Sequence, residues 1–409
     1  MRPTHTLLLV FVALVLAAVC AGCTGGGTKQ VDAVSDTPVQ SESKIVTDMR
    51  GLDVSIPKDP QRVVVMADGM VESVMIIFGV EDRIVGLPRT PKNYVYNYTS
   101  VVANESYSYK NGEYVPVVLY PGLRDLTVVG REVPNYETIA SLSPDLVLLR
   151  SGSCSFPDYQ TDENSKKTVE TIESLGIPVV LLSAPECSDR PDLENLYREI
   201  AILGEIFDRE EEAGQIVDLL TEKVALIDER TRDVPDADRP SVLFFGLSSS
   251  DRKKGGVGNV RGIDTPDSYF LEEIVHAKNA FRDPGRHTLS VEQVLTLDPD
   301  VILLPTSSGY HPPRELYESE PFRCLQELKA VKNRQVYALP WTPSRCGTRL
   351  EFPIDLMIAA KGAYPELFSD IRICDWTLEY YSDLYGVDEE TAKKIRSAQW
   401  LDWTVEENF

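Results

Sequence analysis

"SLSPDLVLL" at Ser141–Leu149 returns, almost letter for letter, as "TLDPDVILL" at Thr296–Leu304. Each copy ends in a run of apolar residues, the pattern of a short strand buried on both faces. A helical stretch precedes each, "NYETIASL" in the first case and "SVEQVLTL" in the second. A Pro-Asp pair then stops the helix and turns the chain into the strand. Helix, turn and buried strand make one arm of an α/β unit. Two copies so far apart predict two similar lobes rather than a short-period solenoid.

The chain has 409 residues, 43% hydrophobic and 26% charged, enough for two domains with real cores. Its net charge of −23 argues against nucleic acid as a partner, because phosphate binding needs a basic face. Near the N-terminus Arg2 precedes thirteen apolar residues, "LLLVFVALVLAAV", and then "CAGC". That stretch is short for a membrane span and fits a secretory signal. Ala21 and Gly22 before Cys23 read as a lipoprotein signal with Cys23 as the lipidated residue; Cys20 is the other candidate. Residues 1–22 are then a signal peptide and 23–45 a lipidated cysteine with a flexible polar tether. The body is expected outside the cytoplasm, anchored to the outer face of the cytoplasmic membrane. Five cysteines remain there with no zinc-binding spacing. Cys154 and Cys187 follow successive strands, "DLVLL" and "PVVLLS", by similar distances. If those strands are neighbours their ends lie about 5 Å apart, so a Cys154–Cys187 disulfide is expected.

Strand and helix alternate from residue 46 to 191, predicting a first α/β lobe, and again from 236 to 409, predicting a second. Between them, 192–235 shows no strand pattern. A stripe of Ala213, Ile216, Val217, Leu220, Val224 and Ile227 predicts a long helix over 209–234. Further helices are expected over 268–281 and 321–331, a loop at "GVGNVRG" (Gly256–Gly262), and a polar tail after "TLEYYSDLYGV". A Tyr-rich insertion occupies 91–126. No HExxH, GxSxG or P-loop occurs, and the histidines are His5, His276, His287 and His311. No catalytic residue, cofactor or protein-held metal is expected. Two α/β lobes facing each other make a cleft, so the fold argument leads to ligand binding.

In order, "TDMRGLDVSIPKDPQRVVVM", "GVEDRIVGL", "PNYETIASLSPDLVLL", "LEEIVHAKNAF", "SVEQVLTLDPDVILL", "LKAVKNRQVYALP" and "YPELFSDI" resemble the substrate-binding lipoproteins of ABC importers for iron chelates and cobalamin. The resemblance covers Ile45 to Val387. It implies two Rossmann-like lobes joined by a single long backbone helix, with the ligand cleft between them. It implies a monomer that hands its ligand to a permease dimer with ATPase subunits. A ferric siderophore-like chelate is the expected ligand, with a corrinoid or haem as the alternative. A zinc or manganese receptor would need more histidines in the cleft, and a secreted enzyme would need a nucleophile or base. The resemblance also implies one permease-docking carboxylate per lobe, which by motif position are Glu72 and Glu273.

The strand-end loops hold the expected ligand contacts: Arg89, Arg131, Arg150, Arg252, Arg345 and Arg349 for an anionic ligand, and Tyr94, Tyr310 and Trp341 for flat apolar contact.

Overall fold

Asp145 and Asp300, the acids of the two Pro-Asp pairs, hold equivalent places in two different sheets. The backbone N–H groups of Gln61 and Arg62 donate to the Asp145 carboxylate at 2.8 and 3.0 Å. The N–H and hydroxyl of Ser241 donate to that of Asp300 at 2.9 and 2.8 Å. In return Asp145 N–H donates to Arg62 O and Asp300 N–H to Ser241 O. Each repeat therefore pins its own strand to the start of the strand beside it. Ser143 and Asp298, before the two prolines, both take left-handed backbone angles (φ 46° and 36°) that end the preceding helix.

The computed structural model describes residues 42–89, 96–102, 104–130, 133–152, 156–187, 191–247, 249–305, 311–343 and 347–409. After a hairpin of β1 (Ser43–Thr47) and β2 (Asp53–Pro57), the first lobe runs β3 (Val63–Met66), α1 (Met70–Ile77), β4 (Ile84–Leu87), the hairpin β5 (Tyr96–Val102) and β6 (Glu105–Gly112), α2 (Val115–Leu119), β7 (Thr127–Val128), α3 (Tyr136–Ser141), β8 (Leu146–Ser151), α4 (Glu163–Ser174) and β9 (Val179–Ser183). Its sheet is parallel, in the order β7-β4-β3-β8-β9. Two helices follow, α5 (Leu193–Phe207) and α6 (Glu210–Thr231). The second lobe runs β10 (Ser241–Gly246), α7 (Ser249–Lys253), β11 (Gly258–Arg261), α8 (Pro266–Glu273), β12 (Lys278–Asn279), β13 (Arg286–Leu289), α9 (Val291–Leu297), β14 (Val301–Leu304), α10 (Pro313–Glu318), α11 (Lys329–Lys332), β15 (Val336–Ala338), α12 (Phe352–Ala363), α13 (Ile373–Tyr385), α14 (Glu389–Ala398) and α15 (Trp403–Glu406). Its sheet order is β13-β11-β10-β14-β15, with β12 beside β10. The two repeated segments are β8 and β14. β8 lies between β3 and β9, and β14 between β10 and β15, so the copies are counterparts.

The faces of these strands explain the packing. Val63, Val65, Leu146 and Leu148 of the first sheet share one core with Val242, Phe244 and Leu303 of the second. Ala213, Ile216, Leu220 and Ile227 of α6 belong to that same core, as expected from their stripe. The opposite faces close separately, Val64, Met66, Val147 and Leu149 in the first lobe and Leu243, Phe245 and Ile302 in the second. The connector is thus packed along its length. It is shorter than the sequence suggests, 22 residues or about 33 Å, because Asp208 at φ 53° separates it from α5.

Four expectations are corrected. The helix expected over 268–281 ends after Glu273, where His276 turns left-handed (φ 54°) and Asn279 joins β12, its amide donating to Arg261 O and Ser268 Oγ at 2.9 Å. "GVGNVRG" contains β11, paired antiparallel with both β10 and β13. The segment expected as a helix over 321–331 is a 3-10 turn over Glu320–Leu325 followed by the short α11. The polar tail forms α14 and α15, anchored by buried Ala392, Ile395, Leu401 and Trp403.

The Tyr-rich insertion bridges the lobes. Tyrosines at every second position place Tyr98 opposite Tyr109 across the β5–β6 hairpin. Tyr96 stacks on Trp341 (5.8 Å, 13°), and Tyr109 lies against Trp400 at 5.7 Å. The Trp400 indole N–H donates to Lys110 O at 3.1 Å, and Glu113 N–H to Ala398 O at 3.0 Å. Gly112 is required where the hairpin crosses Trp400, since a Cβ there would meet the indole ring at 2.8 Å. At the other side Tyr98 packs edge-on against His311 (5.4 Å), and Arg314 lies over the Tyr107 ring at 4.3 Å.

Candidate functional site at the lobe junction

The segments that leave the carboxyl ends of β9 and β15 meet between the lobes. Glu186, three residues past β9, accepts from both the N–H and the hydroxyl of Thr348 at 2.7 Å. Burial raises the Glu186 pKa, while the Arg150 charge and the Thr348 hydroxyl oppose the rise. Its Oε2 atom is enclosed and has no hydrogen-bond partner among the described residues, and the same holds for Arg150 Nη1. Beside this contact lies a pocket of about 120 Å³. Glu186 contributes to it from the first lobe. The second lobe supplies Phe244 of β10, Phe270 of α8, Arg286 of β13, Arg349 and Phe352 of α12. Arg349 is half-buried and donates to the Thr342 hydroxyl. Asp267, also in the lining, is paired with Arg261.

The expected ligand contacts divide. Arg349 lines the pocket. Arg89 is half-buried in a separate small recess with Glu72 and Tyr114. Arg252 is held by Leu247 O (2.7 Å) and by the face of Phe322 (5.1 Å). Arg150 is a correction: fully buried, it forms a two-pronged ion pair with Glu199 at 2.7 and 2.8 Å. It lies within β8, a strand that is buried to its last residue, so its side chain enters the core of the lobe. Trp341 is also a correction, because at 4% exposure it is covered by Tyr96 and Trp400. Tyr94, Arg131, Tyr310 and Arg345 lie outside the described residues, as do Cys23 and Cys154. Glu186, Arg286 and Phe270 were missed. Only the place of Glu186 after a strand, in "SAPEC", could have marked it in the sequence.

The carboxylates expected to dock the permease separate as well. Glu273 is exposed at the end of α8. Its neighbour Glu272 is engaged, accepting from Asn279 N–H at 3.0 Å and pairing with Arg282. Glu72 is no rim residue: it is 4% exposed, and its Oε2 accepts from Gly69 N–H at 2.9 Å. The cause is the insertion, whose α2 and Tyr114 close over α1. Gly69, at φ 103°, lies so near the Tyr114 hydroxyl that any Cβ would collide with it. Burial pushes the Glu72 pKa up to about 7, with the nearby Asp68 charge adding to the rise.

The expected disulfide is not formed. β8 and β9 are neighbours as anticipated, but Cys187 is a free thiol, with its Sγ 3.5 Å from Ser151 Oγ. The turn over Pro185–Cys187 carries the sulfur back against Gly152. Burial pushes its pKa up to about 12, which leaves a protonated and unreactive thiol. Among the described residues no cluster of acid, histidine and cysteine side chains could hold a metal ion, and no helix is long and apolar enough to cross a membrane.

The sequence pattern of the periplasmic binding protein family matches residues 63–342. An uncharacterised ABC transporter substrate-binding lipoprotein of Bacillus subtilis, YvrC, is 25% identical over 364 residues, 88% of this chain and 98% of the relative. The Fe(3+)-citrate-binding protein YfmC of the same organism is 24% identical over 221 residues, 52% of this chain and 59% of the relative. Among solved structures, a periplasmic solute-binding protein from Veillonella parvula superposes with a TM-score of 0.68 at 21% identity, covering 90% of this chain and all of that one. That likeness shows the fold.

Proposed function

The chain belongs to the periplasmic binding protein family, and on that premise we propose that it captures an anionic iron chelate outside the cytoplasm. It is a substrate-binding protein of an ABC transporter, which implies a permease and an ATPase as partners. Arg349 and Arg286 in the lining of the junction pocket carry the proposal. The lining also holds the carboxylates of Glu186, Asp267 and Asp355, with Asp267 paired to Arg261, and the two guanidinium groups are the part of it suited to a ligand bearing carboxylates or other anionic oxygens. The Fe(3+)-citrate-binding relative supports the same ligand class. A flat corrinoid or haem is less well served, since Trp341, Tyr96 and Trp400 are spent on one another. Cys23 is the proposed lipid anchor.

Titration with ferric citrate, followed by tryptophan fluorescence, tests the reading. Arg349→Ala is expected to weaken binding about tenfold or more, the scale of one charged hydrogen bond, with the melting temperature unchanged. Unaltered affinity would remove Arg349 from the site.

A further inference from the structure

We propose that the junction pocket receives one aromatic ring of the captured chelate, an inference that rests on the chelate-receptor reading above. Three phenyl groups, Phe244, Phe270 and Phe352, line it together with Leu339, Leu356 and Ala359. Phe270 and Phe352 are tilted by 39° with centroids 6.0 Å apart, an arrangement that offers both a ring face and ring edges. The volume of about 120 Å³ sets the size of the guest. An apolar cavity of roughly 150 Å³ takes a benzene molecule, so this one matches a single ring and excludes a macrocycle. A compact, wholly polar chelate would leave the phenyl walls unused, and a carboxylate pressed among them would lose its hydration without replacement. Arg286 and Arg349 stand in the same lining. A ring seated among the phenyl groups would therefore keep the anionic oxygens attached to it within reach of guanidinium donors. The geometry points to an aryl-bearing chelate whose ring enters between α8 and α12.

The test compares ferric citrate with the ferric complex of a bis(dihydroxybenzoyl) diamine, titrated against the full exported chain. The aryl complex is expected to bind at least about tenfold more tightly. Ala359→Leu and Leu339→Phe each add bulk to the lining, and each is expected to bring the two affinities together. Thermal melts identify a variant that fails to fold, and the other then carries the comparison. Equal affinities in the unmodified chain, or a preference that survives the filling, would overturn the ring site. If neither ferric complex binds, the receptor reading falls and dihydroxybenzoate alone decides the pocket. Saturable binding that filling abolishes upholds it, and absence of binding overturns it.

Discussion

Glu72 shows how one buried acid can carry a pH dependence for the whole fold. Its folded pKa of about 7 lies above the ordinary value of 4.5, so between those values the folded state holds a proton that the unfolded chain releases. Stability therefore falls as pH rises across that window and stays reduced above it. Glu72→Gln keeps an acceptor for Gly69 N–H without the charge. The variant is expected to gain up to about 3 kcal/mol over the parent at pH 8 and little at pH 4, as measured by denaturant unfolding. An equal gain at both values would show that Glu72 is not buried as described. Arg150 makes the opposite case. Removing it strands Glu199 in the core, and Arg150→Ala is expected to cost roughly 3–5 kcal/mol of stability. A variant that melts like the parent yet loses chelate would return Arg150 to the ligand site.

At the scale of elements, the repeated nine residues and the connector stripe were legible because both follow from apolar periodicity, which burial enforces. The hairpin β5–β6 was not. Its tyrosines marked an unusual segment, but nothing in their spacing indicates Trp341 and Trp400 as partners hundreds of residues away. The same contacts explain why two site expectations failed. Trp341 looked available because its cover comes from the insertion, and Glu72 looked exposed because α2 closes over it. Arg150 misled for a different reason: an arginine at the end of a buried strand reads as a rim residue until its partner, Glu199 on α5, is known. Replacing 96–112 with a short Gly-Ser link should uncover Trp341 and Trp400. The expected result is a red-shifted tryptophan emission and a loss of at least about 2 kcal/mol, counting two aromatic pairs at about 1 kcal/mol each. Unchanged emission would mean that the hairpin does not rest on the second lobe.

For the whole molecule, the continuous core through both sheets and α6, with the hairpin across the junction, describes a receptor whose lobes are held in one arrangement. A body of this kind suits a largely preformed pocket, and the identity of the proposed ligand is what remains to be measured. Native mass spectrometry of the protein, purified without denaturation from iron-limited cells of its own host, tests it most directly. The expected result is an added mass equal to one organic chelator and ferric iron, lost when a stronger chelator strips the metal. An added mass equal to a corrinoid or a haem, or to a bare divalent cation, would contradict it.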